Sequence, residues 1–211
     1  KDHPPPFDFP GKERWRNEFL ALGLSFDKVD YVFCTHLHID HTGWNTTLRD
    51  GRWVPTFPNA KYVFHKKEYE AWATESAKGN DPPGSVCRHN CLPGEEAGQA
   101  HRVADTYALD DTVTLTPTPG HSPCHCCVNI HSRGRRAIVS GDLIHHAIQC
   151  REVHWSARVD WDQKQSERSR RTFLGSVADM DTVVLPVHFP HPTAGYVRTL
   201  GDSFDFRFRR P

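Results

Sequence analysis

The chain has 211 residues, with 26 Lys+Arg balanced by 26 Asp+Glu, and this zero formal net charge gives no broad electrostatic pull toward nucleic acid or anionic lipid. Apolar residues at 37% and charged residues at 25%, with 12 Phe and 6 Trp, exclude a disordered or fibrous chain, and the length suits one domain, residues 1–211, with a real core. The longest apolar runs, such as Tyr31-Val32-Phe33-Cys34 and Val183-Val184-Leu185, stop far short of the roughly 18 residues a spanning helix needs, so no membrane segment is expected.

Residues 1–11 carry Pro4, Pro5, Pro6 and Pro10, which forbid helix and ladder and predict an extended leading segment. Trp15, Phe19 and Leu22 then recur at helical spacing before Gly23, predicting about three turns of helix. Tyr31 to Cys34 reads as a buried strand ending at Thr35. Gly51, Pro55 and Pro58, with Trp53 and Phe57 among them, predict an ordered loop over 50–59. A strand over Lys61 to Phe64 and a helix over Lys66 to Lys78 follow. Residues 79–100 hold too many Pro and Gly for a long regular element, and a mobile loop is expected there.

Beyond that loop the pattern turns β-rich. Thr112 to Thr116, Cys126 to Ile130 and Arg135 to Ser140 read as strands, the last two joined at Ser132-Arg133-Gly134 into a meander. Asp160 to Ala178 reads as a surface helix, Thr182 to Val187 as another buried strand, and Arg207 to Arg210 as a solvated basic tail. Strands alternating with helices and no internal repeat predict a layered α/β domain.

Histidine is the anomaly: 15 His against 1 Met, a quantity of imidazole that points to metal or proton chemistry. Seven Cys cannot pair completely, and a spacing such as Cys124-x-Cys126-Cys127 does not resemble a secreted disulfide framework; a reducing, cytoplasmic setting is the expectation. The opening Lys1-Asp2-His3-Pro4 has no apolar h-region, so a signal peptide is either absent or outside these residues.

The strongest chemical signal is His36-Leu37-His38-Ile39-Asp40-His41, three imidazoles and a carboxylate at a strand end. In extended backbone His36 and His38 point to one side while Leu37 and Ile39 enter the core, so two nitrogens can share a cation. A turn at Asp40 would swing Asp40 and His41 to a second position. His121 after Thr118-Pro119-Gly120, Asp142 after Ser140-Gly141, and His188 after Leu185-Pro186-Val187 have the same strand-end character. Ligands on such loops are held by a sheet yet reach solvent, as a catalytic site requires. Nitrogen and carboxylate donors without thiolate suit zinc, with manganese, iron or cobalt admissible. Cys87-Arg88-His89-Asn90-Cys91 offers only three ligands where closed zinc sites take four, so thiols without a metal are expected there.

Thr35-His36-Leu37-His38-Ile39-Asp40-His41-Thr42-Gly43-Trp44-Asn45, Thr118-Pro119-Gly120-His121-Ser122, Ser140-Gly141-Asp142-Leu143-Ile144-His145-His146 and Val187-His188-Phe189-Pro190 together resemble the metallo-β-lactamase-fold hydrolases, in the family's order, from about Leu24 onward. The resemblance implies an αββα sandwich and a dinuclear zinc centre. His36, His38 and His121 would hold one ion, Asp40, His41 and His188 the other, and Asp142 would bridge them. It also implies hydrolysis by metal-bound hydroxide, with Asp40 passing the proton to the leaving group. The Gly-Trp-Asn continuation and the Gly-Asp-Leu-Ile-His string look most like the lactonase, esterase and organophosphate-hydrolase branch, which implies a small-molecule ester or lactone substrate. Lactonases of the fold tend to carry Tyr three residues after the bridging Asp; His145 stands there and could donate a hydrogen bond in its place.

Only 35 residues precede His36, fewer than the fold usually spends on its first strands. A sandwich lacking part of its N-terminal sheet is therefore expected, and a homodimer would cover the open edge. Phosphotriesterase and β-lactamase activities share such a centre and remain as alternatives, as does a non-catalytic, N-terminally incomplete metal-binding protein. A redox protein built on the thiols is the remaining rival.

Overall fold

The structure, a computed structural model, describes residues 13–80 and 86–209, so the Pro-rich leading segment lies outside the described residues. Two compact units divide the chain, one ending at Val103 and the other starting at Ala104. Among the described residues no helix is long and apolar enough to cross a membrane.

In the first unit, α1 (Arg14–Ala21) ends just before Gly23, as its apolar spacing predicts. None of its residues is buried. It docks instead by rings: Trp15 stacks on Phe19 at 5.2 Å and lies 4.8 Å from Trp44, and Phe26 meets Phe19 and Phe57, each at 5.4 Å. Each such pair contributes about 0.5–1.5 kcal/mol beyond burial. β1 (Tyr31–Phe33), β4 (Lys61–His65) and β5 (Ala100–Val103) form a parallel three-stranded sheet in the order β1-β4-β5. α3 (Lys66–Ala77) makes the β4 to β5 crossover that parallel pairing demands. As an edge strand β1 is only half-buried, with Tyr31 exposed, where the continuous apolar run had suggested full burial.

Between β1 and β4 the chain forms a single turn, α2 (Ile39–Thr42), and a hairpin of β2 (Thr46–Arg49) and β3 (Arg52–Pro55). The sequence reading had placed an ordered loop over 50–59. The missed signal is Asp50-Gly51, whose positive φ values of 51° and 76° make the tight turn that matches the right-handed twist of a two-residue hairpin. Trp53 faces His89 at 5.8 Å and Phe57 is core, so these aromatics serve packing. Residues 86–100 differ from the loop predicted over 79–100: a π-helical turn (Val86–Cys91) runs into α4 (Leu92–Glu96) with Pro93 at its start, where a missing N–H costs nothing.

The second unit is a seven-stranded sheet in the order β12-β11-β10-β9-β8-β7-β6. It comprises β6 (Tyr107–Ala108), β7 (Val113–Pro117), β8 (Cys126–Ser132), β9 (Arg135–Gly141), β10 (Thr182–Pro186), β11 (Gly195–Leu200) and β12 (Ser203–Phe208). The meander of β7, β8 and β9 is antiparallel, with the hairpin turn at Arg133-Gly134. β9 and β10 pair in parallel, and the chain between them supplies α5 (Ile148–Arg151) and the crossover α6 (Gln163–Val177). α6 begins three residues later than Asp160, because the Asp162 side chain caps Gln165 N–H at 2.9 Å while Asp160 is used elsewhere. The unit's core gathers Ile138, Leu143, Ile144, Phe173, Leu174, Val184, Val197 and Phe206.

The basic C-terminal residues are exposed as far as Arg209, as expected, but through Phe208 they form a strand rather than a tail. Phe204, Phe206 and Phe208 alternate along β12, and Phe208 lies 5.1 Å from Phe206 and 6.0 Å from Phe189. Arg207 Nε reaches Asp205 Oδ2 at 2.6 Å.

Candidate metal centre

Each unit carries a cluster of ligand-type side chains. In the first, the chain leaves β1 extended and turns only at α2. His38 is the residue before the helical turn, with φ −72° and ψ 159°. Leu37 is 2% exposed and Ile39 packs against the same core, which leaves His36 and His38 on the other side. His36 Nε2 and His38 Nδ1 face each other at 3.0 Å. The His41 ring lies 4.1 Å from that of His36, and His41 Nε2 is 3.5 Å from Asp40 Oδ2. The hexapeptide therefore brings two nitrogens to one point and a carboxylate and a third imidazole beside them.

Buried polar groups brace this segment. Glu68 of α3, 1% exposed, accepts Leu37 N–H at 3.1 Å and Trp72 Nε1–H at 2.7 Å. Thr42 Oγ donates to His38 O at 3.0 Å and accepts from Asn90 Nδ2 at 2.8 Å. The stretch 87–91 thus supports the hexapeptide; among the described residues it forms no metal-ligand group of its own. The Cys34 thiol behind the segment reaches His41 O at 3.6 Å, and burial pushes it up to about 11, so it is no thiolate.

In the second unit, His121, Asp142, His145 and His188 converge. His121 Nε2 and His145 Nε2 are each 3.3 Å from Asp142 Oδ2, and His188 Nε2 is 3.0 Å from the same oxygen. The His145 ring stacks against His188 at 5.5 Å and tilts toward His121 at 4.8 Å. His121 Nδ1 pairs with Asp160 Oδ1 at 2.8 Å, and Asp160 Oδ2 accepts Ala157 N–H at 3.1 Å. The Asp160 carboxylate on Nδ1 fixes the orientation of the His121 ring and aims Nε2 at the Asp142 oxygen. Imidazole nitrogens and a carboxylate oxygen converging within 3.0–3.3 Å form a donor set that fits a divalent cation. Burial, the largest single influence, pushes the Asp160 carboxyl up, but the hydrogen bonds from His121 and Ser166, together with the nearby His121 and His145 imidazoles, outweigh it and hold the group below its usual range.

His125, buried and unassigned from the sequence, holds the backbone at the same point. Its Nε2 accepts Asp142 N–H at 3.1 Å, and its Nδ1 pairs with Thr118 Oγ at 2.7 Å. Glu68, Asp160 and His125 gave no signal in the sequence, since each meets its partner 31, 39 or 17 residues away with no motif between them.

The profile of the Metallo-beta-lactamase superfamily matches residues 10–188. The chain belongs to that superfamily. An N-acyl homoserine lactonase, AttM, of Agrobacterium fabrum is 32% identical over 114 residues, which cover 52% of this chain and 38% of that protein. A hydroxyacylglutathione hydrolase of a Polaromonas species is 30% identical over 120 residues, 57% of this chain and 35% of that protein. The chain thus spans little more than a third of the length of these relatives.

Solved structures carry the fold further. The hydrolase AbOPH of the beta lactamase superfamily superposes with a TM-score of 0.78 at 21% identity, over 92% of this chain and 70% of that one. AidC, a dizinc quorum-quenching lactonase, gives 0.77 at 22% identity, over 92% and 69%. The fold class of this superfamily member is therefore the metallo-β-lactamase-like α/β one. Its His and Asp clusters have the donor chemistry for divalent metal.

Proposed function

We propose that this protein is a dinuclear zinc hydrolase that cleaves an ester or lactone bond of a small molecule. The observation that carries the reading is the meeting of three imidazole Nε2 atoms on the single Asp142 oxygen, at 3.0–3.3 Å, with the His121 ring held by Asp160. Following the family's ligand order, His36, His38 and His121 would hold one ion and Asp40, His41 and His188 the other, with Asp142 available to both. The lactonase names among the relatives favour the lactone over the other bonds hydrolysed on this fold.

Zinc held by these residues would supply Lewis acidity and make water a nucleophile near neutral pH. The chain's residues do the rest. Asp40, exposed at the start of α2, accepts a proton at a carboxylate oxygen and delivers it to the leaving alkoxide. His145, half-buried beside Asp142, donates a hydrogen bond to the substrate oxygen. No Ser or Cys nucleophile is required, and the buried Cys127 and Cys150 thiols, both pushed up to about 12 by burial, are poorly suited to be one.

The test is turnover of p-nitrophenyl esters, acyl lactones and phosphotriesters by the purified chain, before and after chelation and after zinc is restored. Ester or lactone turnover that chelation abolishes and zinc restores is the expected result. Turnover indifferent to chelation, or confined to phosphotriesters, contradicts the reading.

A further inference from the structure

One face of α6 carries three buried polar side chains, Ser166, Ser169 and Arg170, at positions where an amphipathic helix ordinarily presents apolar ones. Arg170 is wholly buried, and its guanidinium is spent on main-chain carbonyls. Nη1 donates to Leu143 O at 3.1 Å, Nε to Val153 O at 3.0 Å, and Nη2 to Trp155 O at 2.8 Å and Ser156 Oγ at 3.2 Å. Leu143 follows Asp142 directly. Gln149 ties the same segment from within: its Oε1 accepts His145 N–H at 2.7 Å and its Nε2 donates to Trp155 O at 2.9 Å. Arg170 and Gln149 thus share the Trp155 carbonyl.

The same helix face holds the other ligand segment. Ser169 Oγ donates to Pro119 O at 2.6 Å, two residues before His121. Gly120 lies so close that an added Cβ would fall 2.2 Å from Ser166 N, and its φ of 131° excludes other residues as well. Trp161 N–H donates to His121 O at 3.1 Å, next to the Asp160 that holds the His121 ring. One helix therefore grips the segment that presents Asp142 and His145 and the segment that presents His121 and Asp160.

We propose that Arg170 is a positioning residue for the metal ligand Asp142 and for His145 beside it, an inference that rests on the metallo-hydrolase reading. Its role is to hold the segment that presents Asp142 and His145 on α6, in register with the His121 segment that its neighbour Ser169 holds. A planar fork with five N–H donors can satisfy the carbonyls of three separate residues at once; a Lys ammonium, a point charge on a flexible stem, cannot span them. Its positive charge also faces the partial negative charge of those carbonyls, which a neutral amide would match less well.

The experiment is a zinc competition titration of the purified chain and of R170K, R170M, S169A and the control R171A, with thermal unfolding of each metal-free protein. Arg171 is outside the network, pairing with Glu167 at 3.8 Å on the exposed side of the helix. We expect R170K and R170M to lose zinc affinity by about 10–100-fold, the range for partners that orient a ligand. S169A loses less and R171A nothing, and zinc-loaded R170K shows a lower kcat at near-normal KM. R170K or S169A with wild-type zinc affinity, whatever the change in unfolding temperature, overturns the proposal and leaves Arg170 a core-filling residue. Should R170M not fold, R170K and S169A decide the question. A wild-type chain that takes up no zinc overturns the metal reading and this inference with it.

Discussion

The two ligand clusters are built in opposite ways. The first unit's cluster comes from six consecutive residues at one strand end, so local backbone geometry does most of the positioning: Leu37 and Ile39 anchor one side and His36 and His38 present the other. The second unit's cluster is assembled from segments spread between residues 121 and 188, and it needs a scaffold of buried polar groups, Asp160, His125, Gln149 and Arg170, to bring its atoms together. A contiguous cluster tolerates loss of a distant brace. An assembled one depends on every tie, because each ligand's place is set by contacts far away in the chain.

The largest effect is expected at the oxygen on which the assembled cluster converges. Asp142→Ala should lower hydrolysis by about 10³-fold or more, several kcal/mol of lost charge stabilisation, with zinc content falling in parallel. It should leave the metal-free chain folded, as far-UV circular dichroism would show, since it removes a buried carboxylate oxygen rather than a core contact. A D142A chain with full zinc content would deny that this oxygen organises the centre.

Asp40 tests the contiguous half. Asp40→Asn should cut turnover by about 10²-fold, the lower end for loss of a general acid–base group. Full turnover with both ions retained would remove Asp40 as the proton carrier. His145 should matter less: His145→Ala lowers kcat by about tenfold, one lost hydrogen bond's worth, while His145→Tyr, which restores a donor hydroxyl, keeps most of it. Equal losses in both variants would make His145 a structural or ligating residue instead.

The smallest effect is the one expected from the thiols. Cys34, Cys127 and Cys150 have folded-state pKa values raised to about 11, 12 and 12 by burial, so at neutral pH they stay protonated and slow to alkylate. Iodoacetamide treatment of the native protein should leave turnover unchanged. Loss of activity that tracks alkylation of these three cysteines would revive a thiol mechanism.

The same contrast explains how much was legible in the sequence. The hexapeptide was readable because its ligands alternate with core residues over one short stretch. Most strands and helices were readable from periodicity, including the β8 to β9 hairpin and α3. The β2–β3 hairpin was missed although Asp50-Gly51 announces it, because Pro55 and Pro58 nearby weighed toward a loop. β12 shows less clearly although Ser203-Phe-Asp-Phe-Arg-Phe208 alternates, because the run of terminal arginines beside it has the composition of a solvated tail. Asp160 and Arg170 were beyond reach for a different reason: a helix-start carboxylate and a mid-helix arginine look like solvated surface until the tertiary fold puts His121 Nδ1 and three carbonyls against them.

The most direct test of the central claim is anomalous diffraction at the zinc edge from crystals of the zinc-loaded protein. The account predicts two peaks with an Asp142 oxygen between them, one bound by His36, His38 and His121 and the other by Asp40, His41 and His188. A single peak away from Asp142, or ions held by residues outside this set, would contradict it.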